Sequence, residues 1–138
     1  MIHQARIRWF SYETLSPVFA FLLWGAWTIH ANAGDTLQGR LVSGAAQGLI
    51  SFFVTILMVK VIGILFATFP PALRLALPSL IVIGGIGAIE VAVHKMIGTR
   101  NVFDTIKPNL VVGFVFCVIT TFRLWNLERT ERDAQGSL

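Results

Sequence analysis

Glu90 and His94 stand four residues apart in an apolar, glycine-rich stretch, so a helix places a carboxylate and an imidazole on one face within reach of each other. An ionised acid in such surroundings is expensive unless it is protonated, paired or hydrated. Histidine is the side chain that most readily changes charge near neutral pH. Together the two groups fit proton or cation handling, and they fit equally a structural pair held neutral or ion-paired. His30 could complete a His, His, Glu set of the kind that binds a metal. Two histidines at comparable places in two helical hairpins also fit bis-histidine haem b ligation. Neither HExxH nor ExxH spacing is present. The reading therefore assigns no metal, no cofactor and no catalytic residue, and expects no enzyme.

A second polar feature is the series Ser43, Gln47, Ser51 and Thr55 at intervals of four, with Gly44 and Gly48 beside it in a GxxxG spacing. On a helix this is one slowly turning stripe. Small residues allow close helix approach and hydroxyl or amide groups bridge between helices, so the stripe faces protein. Glu90, His94, His30, Gln47, Ser51 and Thr55 are accordingly the candidates for a proton, cation or solute pathway. Gly44, Gly48, Gly84 and Gly87 are the candidates for helix packing. The run Gly84-Gly85-Ile86-Gly87-Ala88 lies in an apolar stretch with no preceding strand and no phosphate-binding lysine, so it reads as close packing and not as a nucleotide loop. There is no G-x-S-x-G to suggest a hydrolase.

The elements that must position these groups follow from composition. The 138 residues are 55% hydrophobic and 13% charged, with a mean hydropathy of +0.74. Soluble domains carry about 25% charged residues. The expected class is an all-α integral membrane protein. Four apolar stretches, near Leu15 to Asn32, Leu41 to Phe66, Leu75 to Met96 and Pro108 to Leu124, approach the roughly 17 to 25 residues of a spanning helix. An open sheet is excluded because a bilayer leaves unpaired backbone groups unsatisfied. Phe69-Pro70-Pro71 separates the second and third stretches, and Gly98 the third and fourth. The organisation read from this is a cytoplasmic segment 1–14, a first hairpin 15–66, a connection 67–74, a second hairpin 75–124 and a tail 125–138 that frays beyond Glu128.

The net charge of +4 comes from Lys and Arg scattered at the ends of apolar runs, so nucleic acid is not an expected partner. These residues read instead as orientation signals. Arg6, Arg8, Lys60, Arg74, Arg123, Arg129 and Arg132 fall on one side, against Arg40, Lys95, Arg100 and Lys107 on the other, which favours both termini in the cytoplasm. Trp9 and Trp125 then lie near the inner interface and Trp27 near the outer one. The expected location is a bacterial inner (plasma) membrane. Ala31-Asn32-Ala33 has the small-x-small pattern of a signal-peptide cleavage site. Glu13, Pro17 and two tryptophans in a long segment argue for retention. The single cysteine, Cys117, lies in an apolar run and reads as a small core residue.

The segment from Asp35 to Gly44 can be laid on that from Asp104 to Gly113, matching Asp-Thr, the next aliphatic residue, Leu-Val and Gly. A tandem duplication of a helical hairpin is expected from this, with parallel halves related by an axis along the membrane normal. Asp35 and Asp104 each read as a carboxylate just before a helix, accepting from first-turn amides, with a ring of outer-mouth charges as the alternative. Two functions compete: a small proton- or cation-linked transporter or channel working as a homo-oligomer, and a non-catalytic accessory subunit of a larger membrane complex. The bis-histidine haem protein is a distant third. The orientation has a direct check: a cysteine placed at Asp35 or Gly98 should react with an impermeant thiol reagent from outside the cell, and labelling from the cytoplasm alone overturns it.

Overall fold

The computed structural model describes residues 2–136, with side chains described from residue 15 onward. Arg6, Arg8, Trp9 and Glu13, used above for orientation and to weigh cleavage, have side chains outside the described set. Four helices follow one another: α1 (Ile2–Ala31), α2 (Leu37–Thr68), α3 (Leu77–Met96) and α4 (Val102–Gly136). Helices α2, α3 and α4 are long and apolar enough to cross a membrane, and the described apolar part of α1, Leu15–Ala31, is shorter. The strongest associations are α1 with α2 and α3 with α4, so the chain is built as two sequential hairpins, with α2 also touching α3 and α4.

Local chemistry explains the boundaries. Helix α2 is capped by Thr36, whose side chain accepts from the Gly39 amide at 3.1 Å. Asp35 sits one residue earlier than a cap and accepts from the Thr36 amide at 2.7 Å. Pro70 and Pro71 follow the end of α2, and Pro78 occupies the first turn of α3. Gly98 has φ +73°. It closes α3 in a Schellman turn, with Thr99 N donating to His94 O at 2.9 Å and Gly98 N to Lys95 O at 3.3 Å.

Helix α4 runs well past both expected ends, beginning at Val102 and continuing to Gly136. Asp104 therefore lies within its first turn, where a carboxylate still complements the helix dipole, and not before it. Pro108 is inside the helix. Proline has no N–H for the carbonyl four residues back. That carbonyl, Asp104 O, instead accepts from the Trp27 indole at 3.0 Å. At the other end, α4 persists because Glu128 is held by Arg74 at 2.7 Å and by Arg132, one turn on, at 3.0 Å. Arg74 also donates to Phe69 O at 2.6 Å and stacks over the Phe66 ring.

The interior is polar and the exterior apolar. Eleven polar or charged residues are buried among the described ones, against five hydrophobic residues, which inverts the soluble pattern. Ile62, Val82 and Cys117 form the small apolar cluster, with Met58 and Leu65 against it. Cys117 is the core residue its position suggested. Between α1 and α2 the fit is set by glycine. A Cβ at Gly44 would lie 2.6 Å from Ile29 Cγ1, and one at Gly48 would lie 2.9 Å from the Phe21 carbonyl oxygen. Gly87 meets Leu110 at ordinary contact distance, while a Cβ at Gly84 meets nothing.

The two hairpins differ in register where the sequence aligns them. Asp35-Thr36 precedes α2, whereas Asp104-Thr105 lies inside α4. A sharp contrast in glycine sensitivity follows. Gly48→Ala must push backbone and should destabilise by about 1–3 kcal/mol, whereas Gly84→Ala should gain about 0.5–1 kcal/mol from helix propensity. Thermal unfolding of the two variants in detergent measures both.

Candidate functional site

Helices α2, α3 and α4 bring their polar side chains together in one buried chain of hydrogen bonds. Glu90 and His94 on α3 and Gln47 on α2 are each 0% exposed. Gln47 lies between the other two. Its Nε2 donates to Glu90 Oε1 at 2.7 Å, and its Oε1 is 2.7 Å from His94 Nε2. From α4, Asn109 Nδ2 donates to the same Glu90 oxygen at 2.5 Å. On the far side of the imidazole, His94 Nδ1 is 2.8 Å from Thr99 Oγ1, which is 2.9 Å from Ser43 Oγ. The Schellman turn at Gly98 is what folds Thr99 back over His94.

These contacts have a direction. A carboxylate accepts only, and a primary amide has one donating and one accepting end. With the Gln47 amide donating to Glu90, its carbonyl faces the imidazole, so His94 Nε2 carries the hydrogen. A neutral His94 then accepts at Nδ1 from the Thr99 hydroxyl, which accepts from Ser43. Glu90 Oε2 is buried with no hydrogen-bond partner among the described residues, so it is the open position for a proton. Protonated Glu90 becomes a donor. With the proton on Oε2, Oε1 still accepts from Gln47 and Asn109, so protonation adds a donor at Oε2 and leaves the direction of the chain unchanged.

Not every expected site residue joins this chain. His30 is exposed and tilts against Trp27, ring centroids 5.9 Å apart, away from Glu90 and His94. No group of three His, Cys, Asp or Glu among the described residues is placed to hold a metal ion. Ser51 is buried with its Oγ unpartnered among the described residues, and Thr55 donates to Ser51 O at 2.7 Å. Three contributors were not singled out from sequence: Asn109, Thr99 and Ser43, the last noted only as part of the stripe. Asn109 had a signal, being an amide directly after Pro108 in an apolar run. Thr99 had one only through Gly98, which fixes where the next residue turns.

A separate polar clasp closes the end of the bundle where α1 and α4 meet. Asn32 is fully buried and donates to Thr28 O and Thr105 Oγ1, at 2.9 and 2.8 Å. Asn101 returns the contact, its amide N–H donating to Asn32 Oδ1 and its side chain to Ala31 O, both at 2.9 Å. Arg100 donates to Gly34 O. In the folded chain the Ala31-Asn32-Ala33 tripeptide is thus tied to the loop after α3.

Gln47→Leu leaves both Glu90 and His94 short of a partner, at about 1–3 kcal/mol for each buried group. It should therefore lower detergent stability more than Ser51→Ala, whose hydroxyl has no partner to lose. Nitrogen-15 NMR of the histidines should find His94 as the Nε2–H tautomer in the parent; an Nδ1–H signal overturns the stated direction. No protein-family model matches the chain, and neither the curated proteins nor the solved structures contain a significant match.

Proposed function

We propose that the chain is a small four-span membrane protein, both termini cytoplasmic in a bacterial inner membrane, that couples proton or cation movement at Glu90 to passage of a small solute as a homo-oligomer. The observation that carries this reading is the directed chain from Glu90 through Gln47 and His94 to Thr99, with an unpartnered carboxylate oxygen at its inner end. An inert anchor has no need of an acid and an imidazole, each desolvated and joined through one amide. The apolar length of α2, α3 and α4 supports the membrane setting, with α1 as the fourth span. The match between the Asp35 and Asp104 segments supports descent from a duplicated hairpin. Oligomerisation is favoured because four helices are few to enclose a solute route, and the open backbone at Gly84 and Gly85 allows another helix to approach.

The haem reading has less support than these two, since both ring nitrogens of His94 make hydrogen bonds and His30 packs on Trp27. An accessory role in a larger complex is the second reading, favoured by the same open face of α3.

Glu90→Gln is the informative variant. It keeps the oxygen that accepts from Gln47 and Asn109 while removing the titrating group, so the fold should be kept, at a cost of no more than about 1–3 kcal/mol for the amide donors it places where Oε2 lacks a partner. Leu at 90 is a poorer test, because it strands two buried amide donors. In proteoliposomes the parent should carry protons or alkali cations above the empty-vesicle rate, and Glu90→Gln should not. A parent with no flux that copurifies with another membrane protein from its native membrane transfers the case to the accessory reading.

A further inference from the structure

A cavity of about 720 Å³ lies between α1, α2 and α4; apolar side chains such as Phe19, Leu23, Val59 and Phe116 make most of its wall, and Ser16, Ser51, Thr55, Lys60 and Asn109 supply its polar groups. Its polar groups are spaced along its length. Ser51, Thr55 and Lys60 follow one another on α2, and the nine residue steps from Ser51 to Lys60 span about 13 Å at the helical rise. Lys60 is the charged residue of this lining among the described residues and, with Ser16, lies toward one end. At the other end are the unpartnered, buried Ser51 hydroxyl and Asn109, whose amide touches the Glu90 carboxylate. An internal water needs room and two to four polar partners. The hydroxyls of Ser51 and Thr55 and the amide of Asn109 supply them beside Glu90.

We infer that this cavity is a water-filled half-channel that brings protons from the Lys60 face of the bundle as far as Asn109 and Glu90. On the opposite face Asn32, Asn101 and Thr105 close the bundle, and the Gln47 amide, which donates and accepts but does not pass a proton through, separates Glu90 from His94 and Thr99. Access to the carboxylate is one-sided: cavity water on one side, a closed hydrogen-bonded chain on the other. The reacting species is hydrated proton. It binds Glu90 Oε2 by forming an O–H bond and leaves water behind, with no redox partner needed.

The inference rests on the proton-handling reading of Glu90 for its purpose, but its test needs no flux. In a Cys117→Ala background, single cysteines replace Ser51, Thr55 or Phe53, the last on the exposed apolar surface. Each protein is reconstituted with known orientation and treated from one face at a time with a permanently charged methanethiosulfonate. Ser51→Cys and Thr55→Cys should label to completion from the Lys60 face and remain unlabelled from the Arg100 face, with Phe53→Cys unlabelled from both. The Thr55 position, half-buried, keeps the test alive if Ser51→Cys does not fold. No labelling of either, or labelling from the Arg100 face alone, overturns the half-channel. So does reaction only with an uncharged, lipid-soluble maleimide, which identifies an acyl chain as the occupant. Labelling without proton flux in the parent leaves the half-channel standing and removes the transport reading; flux without labelling does the reverse.

Discussion

The amide of Gln47 is the constraint on which the interior depends. It must satisfy an acid on one side and an imidazole on the other, each wholly removed from solvent, and only a group with opposed donor and acceptor ends can do so from one position. To reach both, α2 has to lie against α3 along the face that carries Ser43, Gln47 and Ser51. Its other face is then left to α1, and the glycines at 44 and 48 let that helix approach until Gly25 and Phe21 backbone meet α2. Helix α2 is thus the spine of the molecule, polar on one side and bare on the other. The hairpin contacts and the inter-hairpin contacts are two consequences of the same placement.

Burying polar groups and exposing apolar ones is costly in water and favourable in hydrocarbon, where the alternative for each polar group is to go unpaired. The described interior obeys this pattern almost throughout. Thr28, Thr121 and Thr105 return their hydroxyls to carbonyls one turn back, and Ser79 meets Thr121 across the α3–α4 contact. Both ends of the bundle are then fastened by charge-assisted or amide contacts. Arg74 with Glu128 holds one end, and Arg100 with the Asn32 and Asn101 pair holds the other. The exceptions among the described residues are Glu128 Oε2 at the Arg74 end and, in the interior, Glu90 Oε2 and Ser51 Oγ, which mark where the packing stops being self-sufficient.

Much of this was legible in the residue order. Apolar runs and proline or glycine breaks located four helices, and the spacing of Glu90 from His94 and of Gln47 within its stripe pointed to residues that do converge. Periodicity places residues on faces, however, and faces do not say which helix they meet. The contribution of Asn109 depends on α4 starting at Val102, about two turns before the apolar run that announced it, because a polar first turn carries little hydropathic signal. The far extension of α4 depends on Arg74, more than fifty residues away, finding Glu128. His30 was attractive by type and by its place in the apparent repeat, yet Asn32, two residues on, took the interior position and left the histidine outside.

Pro108, Asp104 and Trp27 carry a consequence of another kind. The proline frees a carbonyl, and the tryptophan seventy-seven residues earlier takes it. An ordinary residue at 108 would add its own amide to a carbonyl that has room for two donors, so the indole would share the acceptor it now takes from the helix. In evolutionary terms the two positions should be coupled: among descendants of this sequence, loss of the proline should loosen the hold of selection on the tryptophan at the α1–α4 contact.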